Sequence, residues 1–141
     1  MARVINTANP GKLRNRARRT IAEVLRHLMF KRRIDQEAKD MAACIVYALG
    51  DIEATIEITT AAWEKRDYYL KADKFRLEWE WVGPASTQLR DIILQDRWDQ
   101  LPETLAPLAT RFGDIRIAKM TRPSSTWEGS YQELVNESQE S

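Results

Sequence analysis

A single cysteine, Cys44, leaves this 141-residue chain unable to close a disulfide within itself, and nothing in its thiol content argues for an oxidising compartment, so a cytoplasmic location is the expectation. Cys44 falls near the edge of a helical apolar stripe, where a small hydrophobe is the ordinary explanation. A single histidine, His27, excludes sites built on paired imidazoles. Glu23 precedes it by four residues, whereas the Glu-x-x-His pattern of di-metal carboxylate bundles requires three. No Gly-x-Gly occurs, and Gly11-Lys12 lacks the upstream glycine of a phosphate-cradling loop, so no cofactor is expected. Acidic pairs such as Asp51 with Glu53 or Glu78 with Glu80 fit solvated helix charges better than catalytic carboxylates, and enzymatic activity is not expected. No apolar run approaches the roughly 20 residues that span a bilayer, and the N-terminus has arginine without the apolar core of a signal peptide; no membrane partner is expected. Only five Gly and five Pro, with no sustained strand-like alternation, point to an all-α protein.

The most informative shortage is one of negative charge at the N-terminus. The first 33 residues hold ten of the 22 Lys and Arg side chains and one carboxylate, Glu23, while the remaining 108 carry 12 basic and 20 acidic side chains. The formal charge of +1 therefore hides about +9 followed by about −8. Asymmetry of this kind points to a polyanion, or to an acidic partner surface, meeting the N-terminal segment. Arginine outnumbers lysine eight to two there, which suits bidentate recognition of phosphate. The candidate nucleic-acid-binding residues are Lys12, Arg14, Arg16, Arg18, Arg19, Arg26, Lys31, Arg32 and Arg33.

Apolar periodicity divides the chain into a disordered leader (residues 1–12), a helical body (13–120) and a flexible polar tail (121–141), the body being an up-and-down four-helix bundle. A first helix over 13–33 buries Ile21, Val24, Leu25, Leu28 and Met29. On a wheel of 100° per residue, Lys12, Arg16, Arg19, Arg26 and Arg33 lie opposite that stripe, with Phe30 among them. A wet cationic face and a phosphate-binding face both fit this pattern. A second helix, capped by Asp35, runs to about Trp63, with Glu37, Asp40, Asp51, Glu53 and Glu57 on its outer side. No Gly or Pro separates it from the first, so one continuous helix also fits. A third helix spans about 65–98 with a break at Gly83-Pro84, and a fourth starts at Pro102 and ends near Met120, with an irregularity at Pro107. The expected core comprises Ile21, Leu25, Leu28, Met41, Ile45, Ile52, Ile56, Leu89, Ile93, Leu108 and Phe112. Trp127 and Tyr131 could pin the start of the tail.

Within the third helix, the residues Trp63-Glu-Lys-Arg-Asp-Tyr-Tyr-Leu-Lys-Ala-Asp73 lead into Arg76, Trp79 and Trp81. With the basic first helix, and Leu105, Leu108 and Phe112 before Gly113, this pattern resembles the accessory variability determinant proteins of diversity-generating retroelements, over about residues 20–120. The resemblance implies a four-helix bundle that forms a ring-like homopentamer. It also implies a non-enzymatic protein that binds template RNA and associates with the retroelement's reverse transcriptase to support error-laden cDNA synthesis. The sequence departs from that family in lacking a Pro-containing turn between the first two helices, in its acidic charge beyond Arg33, and in its extra tail. The competing reading is a helical interaction module, or a small subunit of another ribonucleoprotein complex. A neighbouring reverse transcriptase gene beside an imperfect DNA repeat separates the two.

Overall fold

The computed structural model describes residues 9–140. Among them the protein is all-α, with six α-helices, two single-turn 3₁₀ segments and no strand. Helix α1 (Pro10–Met29) starts at Asn9, whose side-chain oxygen accepts from the Lys12 amide, and carries proline in its first turn, where a missing N–H costs nothing. The helix thus takes in the last residues of the expected leader; residues 1–8 lie outside the described residues. Helix α2 (Gln36–Lys65) is capped by Asp35, whose carboxylate accepts from the Ala38 amide at 2.8 Å. A non-helical link over 30–35 separates α1 from α2, so α1 ends four residues short of Arg33.

Helix α2 is the axis of the molecule. Residues 41–46 are all buried, a run that no one-sided stripe produces, and α1, the short α3 (Tyr69–Trp79), α4 (Val82–Leu94) and α6 (Ser130–Glu140) all pack on this helix, α3 towards its C-terminal end. Helix α5 (Leu101–Arg111) closes the core against α1 and α4. All eleven residues expected in the core are buried. Met29, expected on the buried stripe of α1, is half-exposed at the helix end.

Six helices stand where periodicity suggests four, for two reasons. The expected third helix divides at Glu80-Trp81 into α3 and α4. Pro84 makes this break four residues upstream of itself: it has no N–H to offer the Glu80 carbonyl and its ring crowds that group, so α3 ends there while Gly83 and Pro84 occupy the first turn of α4, where proline is tolerated. The segment beyond Thr121, expected to be a flexible tail, folds as well: Trp127, Ser130 and Leu134 are buried and α6 lies on α2. Asp40, placed by periodicity on the outer face of α2, is buried there and accepts from the Tyr131 amide at 3.1 Å. The helix expected over 102–120 ends at Arg111, passing through the exposed Pro107 without interruption; residues 112–123 then run back across α1 without helical structure.

The exits of α2 and α4 use the same device. Asp67 and Asp96 adopt φ of 64° and 54°, and the amides of Tyr68 and Arg97 reach back to the carbonyls of Trp63 and Ile92 at 2.9 Å. These are C-terminal closures in which glycine is usual and Asp is the tolerated substitute.

Candidate nucleic-acid interface

The nine candidate cations divide according to what the fold asks of them. Arg14 is half-buried: its guanidinium donates to the hydroxyls of Thr55 and Thr59 at 3.2 and 3.3 Å and lies 4.8 Å above the Phe75 ring. Burial, and after it the neighbouring Arg18, lower its pKa from the ordinary arginine value. Arg18 donates to Asp114 at 2.7 Å, a bond that holds the Asp114 carboxyl below its usual range. Lys31 bridges Asp35 and Glu37 at the start of α2, at 3.1 and 2.8 Å. Arg19 donates to Glu23 at 2.6 Å and to the Arg116 carbonyl; Arg26 donates to the Ile117 carbonyl. Lys12, Arg16, Arg32 and Arg33 are exposed, and no carboxylate among the described residues pairs with them.

Glu23, the one acid among the N-terminal cations, is 1% exposed. Burial alone would push its carboxyl up. Hydrogen bonds from the Thr121 hydroxyl, the Arg19 guanidinium and the amides of Thr121 and Arg122 outweigh that penalty and hold it down at about 2. Arg122 adds a 3.8 Å ion pair and donates to Thr20 Oγ1 at 3.0 Å and to the Arg16 carbonyl at 3.2 Å. Glu23 is thus the anchor that straps residues 114–122 onto α1.

That strap completes a surface that the sequence assigns to α1 alone. Residues 111–122 contain Arg111, Arg116, Lys119 and Arg122 against one acid, Asp114, and Arg111, Arg116 and Lys119 are exposed. Both acids of the two crossing segments, Glu23 and Asp114, are consumed by internal arginine pairs. The outward cations of α1, the strap and the link after α1 are left uncompensated. Charge counted over the whole chain beyond Arg33 obscures this local run of four bases in twelve residues. Glu23 was the available signal: a lone carboxylate beside Val24 and Leu25 on a buried stripe requires a polar partner from elsewhere in the chain.

A second constellation adjoins the strap. The rings of Trp63, Phe75, Trp79, Trp81 and Phe112 follow one another at centroid distances of 5.1, 6.3, 6.0 and 5.7 Å. Each of the first four is faced by a cation: Lys71 at 4.4 Å, Arg14 at 4.8 Å, Arg18 at 5.9 Å and Arg111 at 4.8 Å. Sequence inspection singles out the tryptophans but not the cation set against each. Beyond the Trp63 end, Tyr68, Tyr69 and Leu70 are exposed, Leu70 by 80%.

Among the described residues, no three His, Cys, Asp or Glu side chains gather into a metal cage, and no helix is long and apolar enough to cross a membrane. No family model matches the sequence, and comparison with curated proteins and with solved structures finds no match to either.

Proposed function

We propose that the protein is a non-enzymatic, nucleic-acid-binding accessory subunit that engages RNA through the composite surface of α1, the strap and the 30–35 link. The observation that supports this reading is the absence of free counter-charge: both carboxylates of the two crossing segments are tied up internally, so Lys12, Arg16, Arg32, Arg33, Arg116 and Lys119 face outward without one. A surface that served only solubility would intermix acids with these bases. Phosphates displacing counterions from such a surface supply affinity without sequence preference.

Within this reading, the residue pattern over 66–81 favours the accessory role in a diversity-generating retroelement, with the reverse transcriptase and its template RNA as partners. The counterpart of that family's four helices would be α1, α2, the α3–α4 pair and α5, with α6 an addition. The exposed Tyr68, Tyr69, Leu70 and Leu77 on and before α3 favour self-association, a homo-oligomer such as a pentamer. A general ribonucleoprotein subunit is the second reading, supported by the same charged surface.

The test is a quadruple charge reversal, Arg16→Glu, Arg33→Glu, Arg116→Glu and Lys119→Glu, assayed for RNA binding and for cDNA synthesis by a reverse transcriptase encoded beside the gene. Loss of both with helical content intact supports the retroelement reading. Loss of RNA binding, with no partner polymerase captured by the wild-type chain, supports the general subunit. Unchanged RNA binding contradicts both.

A further inference from the structure

Where α1, the α3–α4 junction and the end of α5 meet, the molecule has an open cleft of about 490 Å³, within the roughly 300–1,000 Å³ of small-ligand sites. Arg18, Glu78, Trp79, Trp81, Arg111 and Asp114 line it. We propose that this cleft holds one nucleotide of a single strand, its phosphate taken between Arg18 and Arg111 and its base against the indole pair; the proposal rests on the nucleic-acid reading of the adjoining surface.

Three observations converge on that ligand. Trp79 Nε1 and Arg18 Nε are both buried donors with no acceptor among the described residues. Both side chains line the cleft, and since buried donors are rarely left unmet, a modest side-chain shift on binding would turn them toward an oxyanion there. Arg111, exposed and without a carboxylate partner among the described residues, lies 4.8 Å over Trp81, so its planar guanidinium presents donors and a stacking face together. Trp79 and Trp81 are near-parallel, with 27° between their planes at 6.0 Å, and supply an aromatic wall of the kind that unpaired bases use. Asp114 already bonds Arg18 at 2.7 Å and marks where an incoming phosphate competes.

Glu78 adds an acceptor to the cleft: as a carboxylate it only accepts hydrogen bonds, and the exocyclic amino group of a base is a donor that satisfies it. The cleft therefore suits a ligand that carries negative charge at one end and N–H donors at the other. Duplex nucleic acid keeps its bases stacked internally and has no such end to offer.

The experiment is fluorescence anisotropy on the full chain, with a labelled single-stranded RNA of about twelve nucleotides and a duplex of the same length. Arg111→Glu is expected to weaken single-strand binding by roughly tenfold or more and to weaken duplex binding by much less. Asp114→Asn, which frees Arg18, is expected to tighten single-strand binding by a few fold. Equal losses on single strand and duplex for Arg111→Glu would reduce the cleft to general surface charge and overturn the proposal. Wild-type single-strand affinity in Arg111→Glu, alongside weakened binding in Arg33→Glu, would overturn the cleft while leaving the surface reading intact. No RNA binding by the unaltered chain would remove both. Competition by polyglutamate as effective as by RNA would overturn the nucleotide assignment.

Discussion

Two neighbouring arginines, Arg14 and Arg16, differ in what their removal should do. Arg14 is held by Thr55, Thr59 and Phe75; its replacement by Ala removes two hydrogen bonds and a cation–π contact and should cost about 1–2 kcal/mol of stability, with little effect on RNA binding. Arg16→Ala should do the reverse, since its exposed side chain holds nothing in place. Chemical denaturation and RNA titration of the two variants check this pair. Glu23 gives a pH prediction with a definite sign. Its folded pKa, near 2, lies below its ordinary value of 4.5, so its contribution is fully present above pH 4.5 and is lost as pH falls towards 2. The depression corresponds to on the order of 3 kcal/mol at neutral pH. Glu23→Gln should flatten that part of the stability–pH curve and release the strap, measured as faster amide exchange over 114–122. Charge alone made Glu23 conspicuous in the sequence; its strap partners, Thr121 and Arg122, were hidden because they lie about a hundred residues away.

Among the elements, the helix closures and the last helix carry the most direct predictions. Asp67 holds a positive φ with its side chain exposed, so Asp67→Gly should stabilise the protein by about 0.5–1 kcal/mol, visible as a rise in melting temperature of a few degrees. Asp96 is a poorer target, because its carboxylate accepts from Trp98 Nε1 at 3.2 Å. For α6, Leu134→Ala removes a buried anchor and should cost about 2–4 kcal/mol, with protease cleavage appearing first after Gly129. The helices with strong apolar period, α1 and α2, were legible in the sequence, as was the Asp35 cap. Helix α6 was obscured by its composition: Glu, Ser and Gln suggest a tail, yet Tyr131, Leu134, Val135 and Ser138 repeat at helical spacing, and Tyr131 and Leu134 pack on the core. The α3–α4 break falls at residues 80–81, a turn before the Gly-Pro pair that signals it, because proline's missing N–H and its ring act on the carbonyl four residues back.

For the molecule as a whole, periodicity identified the core and the all-α class but not the arrangement, because wheel geometry assumes one buried face per helix and α2 is enclosed on all sides along residues 41–46. The candidate interface was half legible. Its α1 component follows from local charge, whereas the strap's cations join it only through the tertiary path set by Glu23. On the proposed function, RNA meets this two-segment surface and does not respond to the total charge of the chain. The most direct test is the salt dependence of RNA binding in the wild-type chain and in the Arg16→Glu, Arg33→Glu, Arg116→Glu and Lys119→Glu variant. Four phosphates met on a single strand predict a slope of log K against log salt near −3 in the wild type, collapsing towards zero in the variant with its helical content unchanged. A wild-type slope near zero, or an unchanged slope in the folded variant, would contradict the account.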